Sequence, residues 1–463
     1  MFLCRCIIIF EMRFALVYSY GRMTHRKYYR EKRIKAVDIR DVFMVSFSVS
    51  NYTCFAKETT LDLRCHPDIK HYHTELLPNG DVDYDGVKVA PICLISGANA
   101  SGKSRFLDAL YAMCNTIVHP SYDLEDLYCR PDLYFYFDQN YHRKPIKFSI
   151  NLSIKNVCYE YGFELHYNNK TNRYEFEREW LLVDDDELKS INDPSQVLRF
   201  ERKRKSEKFF LSEMSDMDSE LYKQIERQVE FSSGTRLLLH FLKEIEVAGK
   251  IIRWFKSFSH MDSVYSKLEF HDFFSSDDTG SVKVKQELID FVAKIDTGIK
   301  DIVYNEPSDG SNDGLVSTKR SLYKDGIKPE DALTPLSWES KGTKYLLGNI
   351  APRVFKVLET GGLLIIDEID SHLHPYVAIS LIKKFHFENS NNAQLIFSSH
   401  NTFFMSKQFL RAEEVCFTEK EDTGISRLVS LYDYYSDPKE AYKRENWGID
   451  YLQEMYTMQP DMA

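Results

Sequence analysis

The 463-residue chain has no surplus of positive charge: 60 Lys and Arg stand against 70 Asp and Glu, a formal net charge of −10. That excludes a protein that binds nucleic acid through its whole surface, while leaving room for a local basic patch. Paired C-x-x-C spacing is absent among the nine cysteines. An odd, unpaired set speaks for reduced thiols in the cytoplasm and against a disulfide framework or a structural zinc site. No apolar run reaches the length of a membrane span, so no membrane partner is expected. No internal repeat is present. The hydrophobic share of 43% is ordinary for a globular chain and supplies ample core for two or three domains, or for one domain with a large insertion.

What the chain does have is Gly97-Ala98-Asn99-Ala100-Ser101-Gly102-Lys103-Ser104, a G-x-x-x-x-G-K-S phosphate loop. Apolar residues from Val89 to Ile95 predict a buried strand before it. Phe106, Leu107, Ala109, Leu110 and Met113 have helical spacing after it. Gly97 and Gly102 let the backbone turn its N–H groups toward phosphate oxygens. Lys103 is expected at the β- and γ-phosphates and Ser104 on Mg²⁺. Asn99, Ala100, Ser101 and Arg105 complete the expected ATP-binding set. Downstream, Gly362-Leu363-Leu364-Ile365-Ile366-Asp367-Glu368 describes a buried parallel strand with acids at its carboxyl end. Asp367 is the expected Mg²⁺ ligand, through water, and Glu368 the acceptor for a proton of the attacking water. His372 and His374 invite a metal reading, but further ligands at defined spacing are missing nearby. Ser340 stands where a helix N-cap belongs, with Gly342 allowing close backbone approach.

Other stretches set the domain expectations. Residues 1–43, with basic residues 22–40, read as an N-terminal extension. Val45, Phe47 and Val49 alternate with serines as a half-buried strand. Strands are also expected at Leu133–Phe137, Ile146–Ile154, Val157–His166 and Tyr174–Leu182. Residues 66–88 and 305–335 read as loops or hairpins. The charged stretch 184–220, with Arg202-Lys203-Arg204-Lys205, reads as solvated and partly mobile. Residues 218–258 have a helical pattern, and 284–304 a helix followed by a strand. Only about 60 residues follow His400, and they lack Asp-x-Asp, so a second catalytic domain is not expected.

The order of these motifs, ending in Gln394-Leu395-Ile396-Phe397-Ser398-Ser399-His400, resembles the nucleotide-binding domain of the ABC class, in the branch of SMC and DNA-repair ATPases. Val45 to Phe55, the phosphate loop, Glu339-Ser340-Lys341-Gly342-Thr343 and Tyr451 to Tyr456 with Pro460 resemble AAA family ATP-binding proteins of the RloA/AbiL type. The resemblance implies an α/β fold: a mixed sheet with a phosphate-loop core, an antiparallel β subdomain and an inserted helical lobe. Its parts are expected at 44–183 and 271–463, with the insertion at 184–270. It makes Ser340 and Gly342 the signature loop, Asp370 the D-loop aspartate and His400 the switch histidine. It implies an ATPase that dimerises around ATP, and a separately encoded effector, a nuclease, in anti-phage defence. Nucleic acid remains a further partner class. Thr53 replaces an arginine of the family opening, and Glu454 and Thr457 replace closing glycines. Gln139 is the expected Q-loop glutamine. The apolar face Leu237 to Phe255, flanked by acidic 184–187 and basic 202–205, is the expected effector-docking surface; the alternative is that these helices only cap the head or pair the dimer. The alternatives are an SMC-like nucleic-acid clamp, which requires heptad arms longer than residues 218–258 allow, and a transporter's nucleotide domain, which requires a tighter signature.

Overall fold

A computed structural model describes residues 38–66, 83–84, 87–118, 133–170, 173–183, 198–205, 208–214, 237–261, 279–295, 298–305, 315–324, 327–371, 373–444, 446–453 and 455–456. The expected N-terminal extension up to residue 37, His372, Glu454 and the stretch from 457 onward lie outside them.

Two sheets stack around the phosphate loop. The central one has the order β11 (Ser259–Met261), β15 (Gly362–Ile366), β16 (Ala393–Ser398), β5 (Ile92–Gly97), β17 (Val415–Lys420), β18 (Ser426–Ser430). Its first five strands run parallel and β18 closes an antiparallel edge. The middle strands are buried throughout because both faces are covered. Cys93, Ile95, Leu363, Ile365 and Ile396 enter one core. Ile92, Leu94, Leu364, Ile366 and Leu395 enter the other. This period-two division follows from the pleat.

The first core lies under a seven-stranded antiparallel sheet ordered β10 (Lys208–Met214), β9 (Phe200–Lys205), β8 (Arg173–Val183), β7 (Val157–Asn168), β6 (Ile146–Ile154), β1 (Val42–Ser50), β2 (Thr59–Asp62). Helices α1 (Lys103–Val118) and α2 (Glu246–Ser257) share this core. The second core collects residues of α3 (Thr279–Ile295), α5 (Ala351–Thr360), α6 (Pro375–Phe387) and α7 (Trp447–Leu452). Between α3 and α5 lie the antiparallel strands β12 (Asp301–Asn305), β13 (Leu315–Lys324) and β14 (Ile327–Pro335), then the short α4 (Lys341–Tyr345). A two-residue pair, β3 (Asp83–Tyr84) with β4 (Val87–Lys88), precedes β5. The two large sheets are tied by Gln394: its amide donates to Met44 O (2.8 Å), and Met44 N donates to its Oε1 (2.7 Å). The tie falls where β1 breaks register against β6 between Met44 and Ser46, so the side chain serves a backbone that the ladder serves poorly.

Three expectations fail here. Leu133–Phe137 is not a strand. Its polar backbone is taken by a distant loop instead: Phe135 N donates to Asn51 Oδ1 (3.0 Å), and Thr53 N to Leu133 O (2.6 Å). The charged run at 202–205 is not solvated coil but lies in β9, paired with β8. Arg202 is fully buried and meets Glu179, itself fully buried, at 2.7 Å. Glu179 also accepts from Tyr161 OH (3.0 Å) and from the backbone N–H groups of Leu238 (2.7 Å) and Leu239 (3.0 Å). The carboxylate thus pins the chain entering α2 to the sheet. The expected helical block is also shorter: among its described residues only Glu246–Ser257 is α-helix, after a 3₁₀ turn at Leu238–His240. Leu237, Leu238, Leu239, Leu242, Ile251, Trp254 and Phe255 are buried in the head, so they offer no docking face. The apolar half of the expected docking surface is therefore buried, and of the basic half Arg202 is buried while Lys203 stays exposed.

Arg202→Ala leaves Glu179 charged and unpaired in the core. The expected loss is about 3–5 kcal/mol of stability, read from the denaturant midpoint. An unchanged midpoint contradicts the buried pair.

Candidate nucleotide site

The loop between β5 and α1 is shaped by residues far away in sequence. Gly97 has φ +146°, and a Cβ there would come within 2.5 Å of both Thr418 O and Thr418 Oγ1. Only glycine fits that approach. Ser101 and Thr418 hydroxyls lie 2.5 Å apart, locking loop to strand β17. Ala100 adopts φ +61°. Lys103 is 6% exposed, and its ammonium donates to Gly97 O (2.9 Å) and Ala98 O (3.0 Å). Burial pulls its pKa below the ordinary lysine value, while the charges of Asp367, Glu368 and Asp370 push it back up. All three acids therefore act on one ammonium. Ala98, Asn99, Ala100 and Ser104 are exposed, as a surface for an incoming polyanion requires. Arg105 is exposed too, but turns along α1 to Asp108 (3.2 Å).

The acidic strand end is built around Ser398. Its hydroxyl donates to Asp367 Oδ1 and accepts from Glu368 N (2.8 Å). Asp367 Oδ2 carries no hydrogen bond among the described residues. Glu368 has φ +50°, uncommon for a side chain with a Cβ and typical of functional turns. Ser371 N donates to Glu368 O (2.9 Å) and Ile369 N to Ser398 O (3.1 Å), which hold that turn. The result is a carboxylate 51% exposed at the end of a fully buried strand. His400 Nε2 lies 3.8 Å from Glu368 Oε1, within ion-pair reach but beyond a hydrogen bond. Its strand end is anchored by Ser96, whose hydroxyl donates to Ser399 O (3.2 Å). Asp370 is half-buried.

Ser340 caps α4 as expected, accepting from Thr343 N (3.1 Å). Ser340 and Gly342 form no hydrogen bond to the phosphate loop among the described residues; they bond within their own turn and stand at the surface beside Trp338, 78% exposed. Glu339 before them is fixed by Arg320 (2.9 and 2.6 Å) and Thr318. Burial works against its charge, but those hydrogen bonds outweigh it and hold the carboxyl below its usual range. The phenol of Tyr345, at the end of α4, is pushed up mainly by burial and further by the charges of Asp367 and Glu368. Gln139 is exposed in a turn, and His142 N donates to its backbone carbonyl. His374 caps α6, its ring accepting from Tyr376 N (3.2 Å). Among the described residues no cluster of three or more His, Cys, Asp or Glu fits a metal ion; His372 lies outside them. Likewise, no helix among them is long and apolar enough to cross a membrane.

Sequence reasoning missed Ser398, Thr418, Ser426 and Asn51. The polar cluster at 398–400 was the visible signal for the first. Thr418 and Ser426 lie on the strands β17 and β18 with no motif of their own, and Asn51 stands in the turn after β1, where the opening motif did not show its partners.

A phosphate loop between a parallel strand and its helix, facing an Asp-Glu strand end two strands away, defines an ABC-type ATPase head with an antiparallel β subdomain. The chain belongs to the family described as "AAA domain, putative AbiEii toxin, Type IV TA system", which matches residues 92–406. No curated protein matches it. Among solved structures it is similar to the SMC head domain from Thermotoga maritima (14% identity, 84% of this chain and 98% of that one, TM-score 0.39). It is also similar to the Smc head domain with an extended coiled coil bound to the C-terminal domain of ScpA, from Pyrococcus furiosus (15%, 89% and 99%, TM-score 0.43). The Smc head domain with a coiled coil and joint from Pyrococcus yayanosii gives 12%, 87% and 98%, and TM-score 0.42. Such values assign this chain neither an activity nor a partner.

Proposed function

We propose that the chain binds ATP between two copies of itself, hydrolyses it, and uses that cycle to control a separately encoded effector, a nuclease, in anti-phage defence. The observation that carries the reading is the sheet order that leaves only β16 between the Asp367-Glu368 end of β15 and the phosphate loop at the end of β5, with the left-handed turn that lifts Glu368 out of its strand. Backbone N–H groups of residues 97–104 and the Lys103 ammonium receive the phosphates. Ser104 and Asp367 suit the Mg²⁺ that accompanies ATP: one is an exposed hydroxyl at a helix start, and the other has a carboxylate oxygen free of hydrogen bonds among the described residues. That ion neutralises phosphate charge when bound. Glu368 accepts a proton as water oxygen attacks the γ-phosphorus and the bond to the β–γ bridging oxygen breaks, releasing ADP and phosphate. His400 is placed to meet the γ-phosphate. Ser340, Gly342 and Asp370 act toward the nucleotide of the other copy, consistent with the exposed position of Ser340. The seven-stranded antiparallel sheet continues through β9 and β10 to Met214, which supports assigning those strands to the head and a smaller insertion than 184–270.

The experiment is phosphate release by the purified chain. Release that requires Mg²⁺ and stops with a chelator is expected; no release with ATP and Mg²⁺ at any protein concentration contradicts the reading.

A further inference from the structure

Aromatic surface stands uncovered beside each half of the proposed shared site. Trp338 is 78% exposed and lies two residues before Ser340. Phe137 is 69% exposed, and Tyr136 next to it 62%. A single exposed ring is ordinary on a protein surface. These rings differ in being held still.

Trp338 closes the 3₁₀ turn Leu336–Trp338, where Glu339 N donates to Leu336 O (3.1 Å). Glu339 is tied to Arg320 and Thr318 of β13, and Lys344 Nζ donates to Ser337 O (3.1 Å). On the other side, Asn51 Nδ2 donates to the carbonyls of Tyr141 (3.0 Å) and Lys144 (2.8 Å), and Asn51 Oδ1 accepts from Phe135 N. The Phe137 ring lies against Gly424 in the turn between β17 and β18, 3.0 Å from where a Cβ would stand there. Tyr136 stands at 85° to Phe137 with centroids 6.1 Å apart, and His142 covers one of its faces (5.7 Å, 29°). The two rings therefore form a corner, which suits one further ring entering edge to face.

Position and charge both point to a second copy of the chain. Ser426, two residues past Gly424, has its Oγ 3.1 Å from where a Cβ on Gly102 would stand, so Phe137 flanks the phosphate loop. Trp338 is within about 7 Å of chain from Ser340. When Ser340 of one copy faces the phosphate loop of the other, the two rings meet at the margin of that site, and a two-fold axis repeats the contact at the second site. Exposed Glu421 and Asp422 lie in the turn against Phe137, and Asp138 follows that ring, against Lys420 alone on β17. Lys341 and Lys344 follow Trp338, while Glu339 is already held by Arg320. Arg143 and Lys144 stand further along the segment of Phe137, and the Lys144 ammonium lies over the Tyr141 ring (3.9 Å). An acidic rim on one side and a basic rim on the other attract when two copies meet. We propose that Trp338 of one copy seats in the Phe137–Tyr136 corner of the second and closes the shared site at its edge. This rests on the two-copy reading above. Rings already fixed in place lose little freedom on docking, as an interface anchor requires.

Sedimentation of the Glu368→Gln chain with Mg²⁺-ATP reads the two-copy state, since that variant holds the nucleotide. In that background Trp338→Ala raises the dissociation constant roughly 30- to 1,000-fold, the loss of one or two aromatic anchors, whereas Trp338→Phe, which keeps a ring, holds the pair together. Phe137→Ala acts in the same direction. Added to Trp338→Ala it costs far less than it does alone, because the contact is already gone. Both side chains lie outside the core, so the replacements leave the fold in place. A wild-type constant in Trp338→Ala overturns the pairing and leaves the shared site standing. Effects that simply multiply also overturn it, since the rings then do not touch. So does a loss of ATP affinity in the dilute single copy with association unchanged, which marks the rings as nucleotide contacts. If the Glu368→Gln chain stays a single copy with ATP at every concentration, the two-copy reading itself fails and the pairing with it.

Discussion

Glu368→Gln keeps ATP bound while turnover falls by roughly 10²- to 10⁴-fold, the contribution of a positioned general base. The amide matches the carboxylate in size, and the backbone turn at φ +50° is held by Ser398 Oγ and Ser371 N rather than by the side chain. The phosphate contacts around Lys103 stay in place, so binding survives. No neighbour replaces the lost proton acceptor: Asp367 accepts from Ser398 through Oδ1, and its other oxygen is the one assigned to Mg²⁺. His400 sits 3.8 Å from the carboxylate on its own strand end. Phosphate release and retained nucleotide, measured in one preparation, check the result. Hydrolysis at the wild-type rate means that Glu368 is not the base.

How far the sequence reaches is clearest at this site. The phosphate loop and the Asp-Glu strand end were legible because their chemistry is written in consecutive residues, and a strand, a turn and a helix follow directly from the spacing. The support around them was not legible. Ser398 is one serine among several until the sheet order sets β16 beside β15. Thr418 reaches Ser101 across more than 300 residues. Leu133–Phe137 alternates like a strand, yet its amide and carbonyl groups go to Asn51 and Thr53, and no local pattern announces that competition. The basic run at 202–205 reads as solvated because sequence shows the charges and hides their partners. Arg202 meets Glu179, and Arg204 meets Glu175, both on the adjacent strand β8. A buried pair and a surface run look alike until the strands are paired.

Lys103→Ala has the second large effect. The ammonium fills the loop, bonded to two of its carbonyls, and it is the positive charge on which Asp367, Glu368 and Asp370 all act. Without it, a polyanion enters a site where three carboxylates are unopposed and two carbonyl oxygens have lost their donor. ATP affinity drops, and turnover falls by roughly 10²- to 10³-fold, the scale of one preorganised electrostatic contact. Binding and turnover equal to wild type contradict the assignment of the loop.

Gly342→Asp places a carboxylate at the start of α4, where a phosphate of the facing copy is expected, so this variant alone is also inactive. Each variant damages a different half of a shared site. Lys103→Ala retains a sound Ser340–Gly342 loop, and Gly342→Asp retains a sound phosphate loop. If the two halves meet only between copies, a mixed pair holds one complete site. The measurement is phosphate release from the two inactive variants mixed in equal amounts. Recovery to roughly a quarter of the wild-type rate, the statistical share for random pairing through a two-fold interface, is the predicted result; no recovery at any mixing ratio contradicts a nucleotide held between two copies.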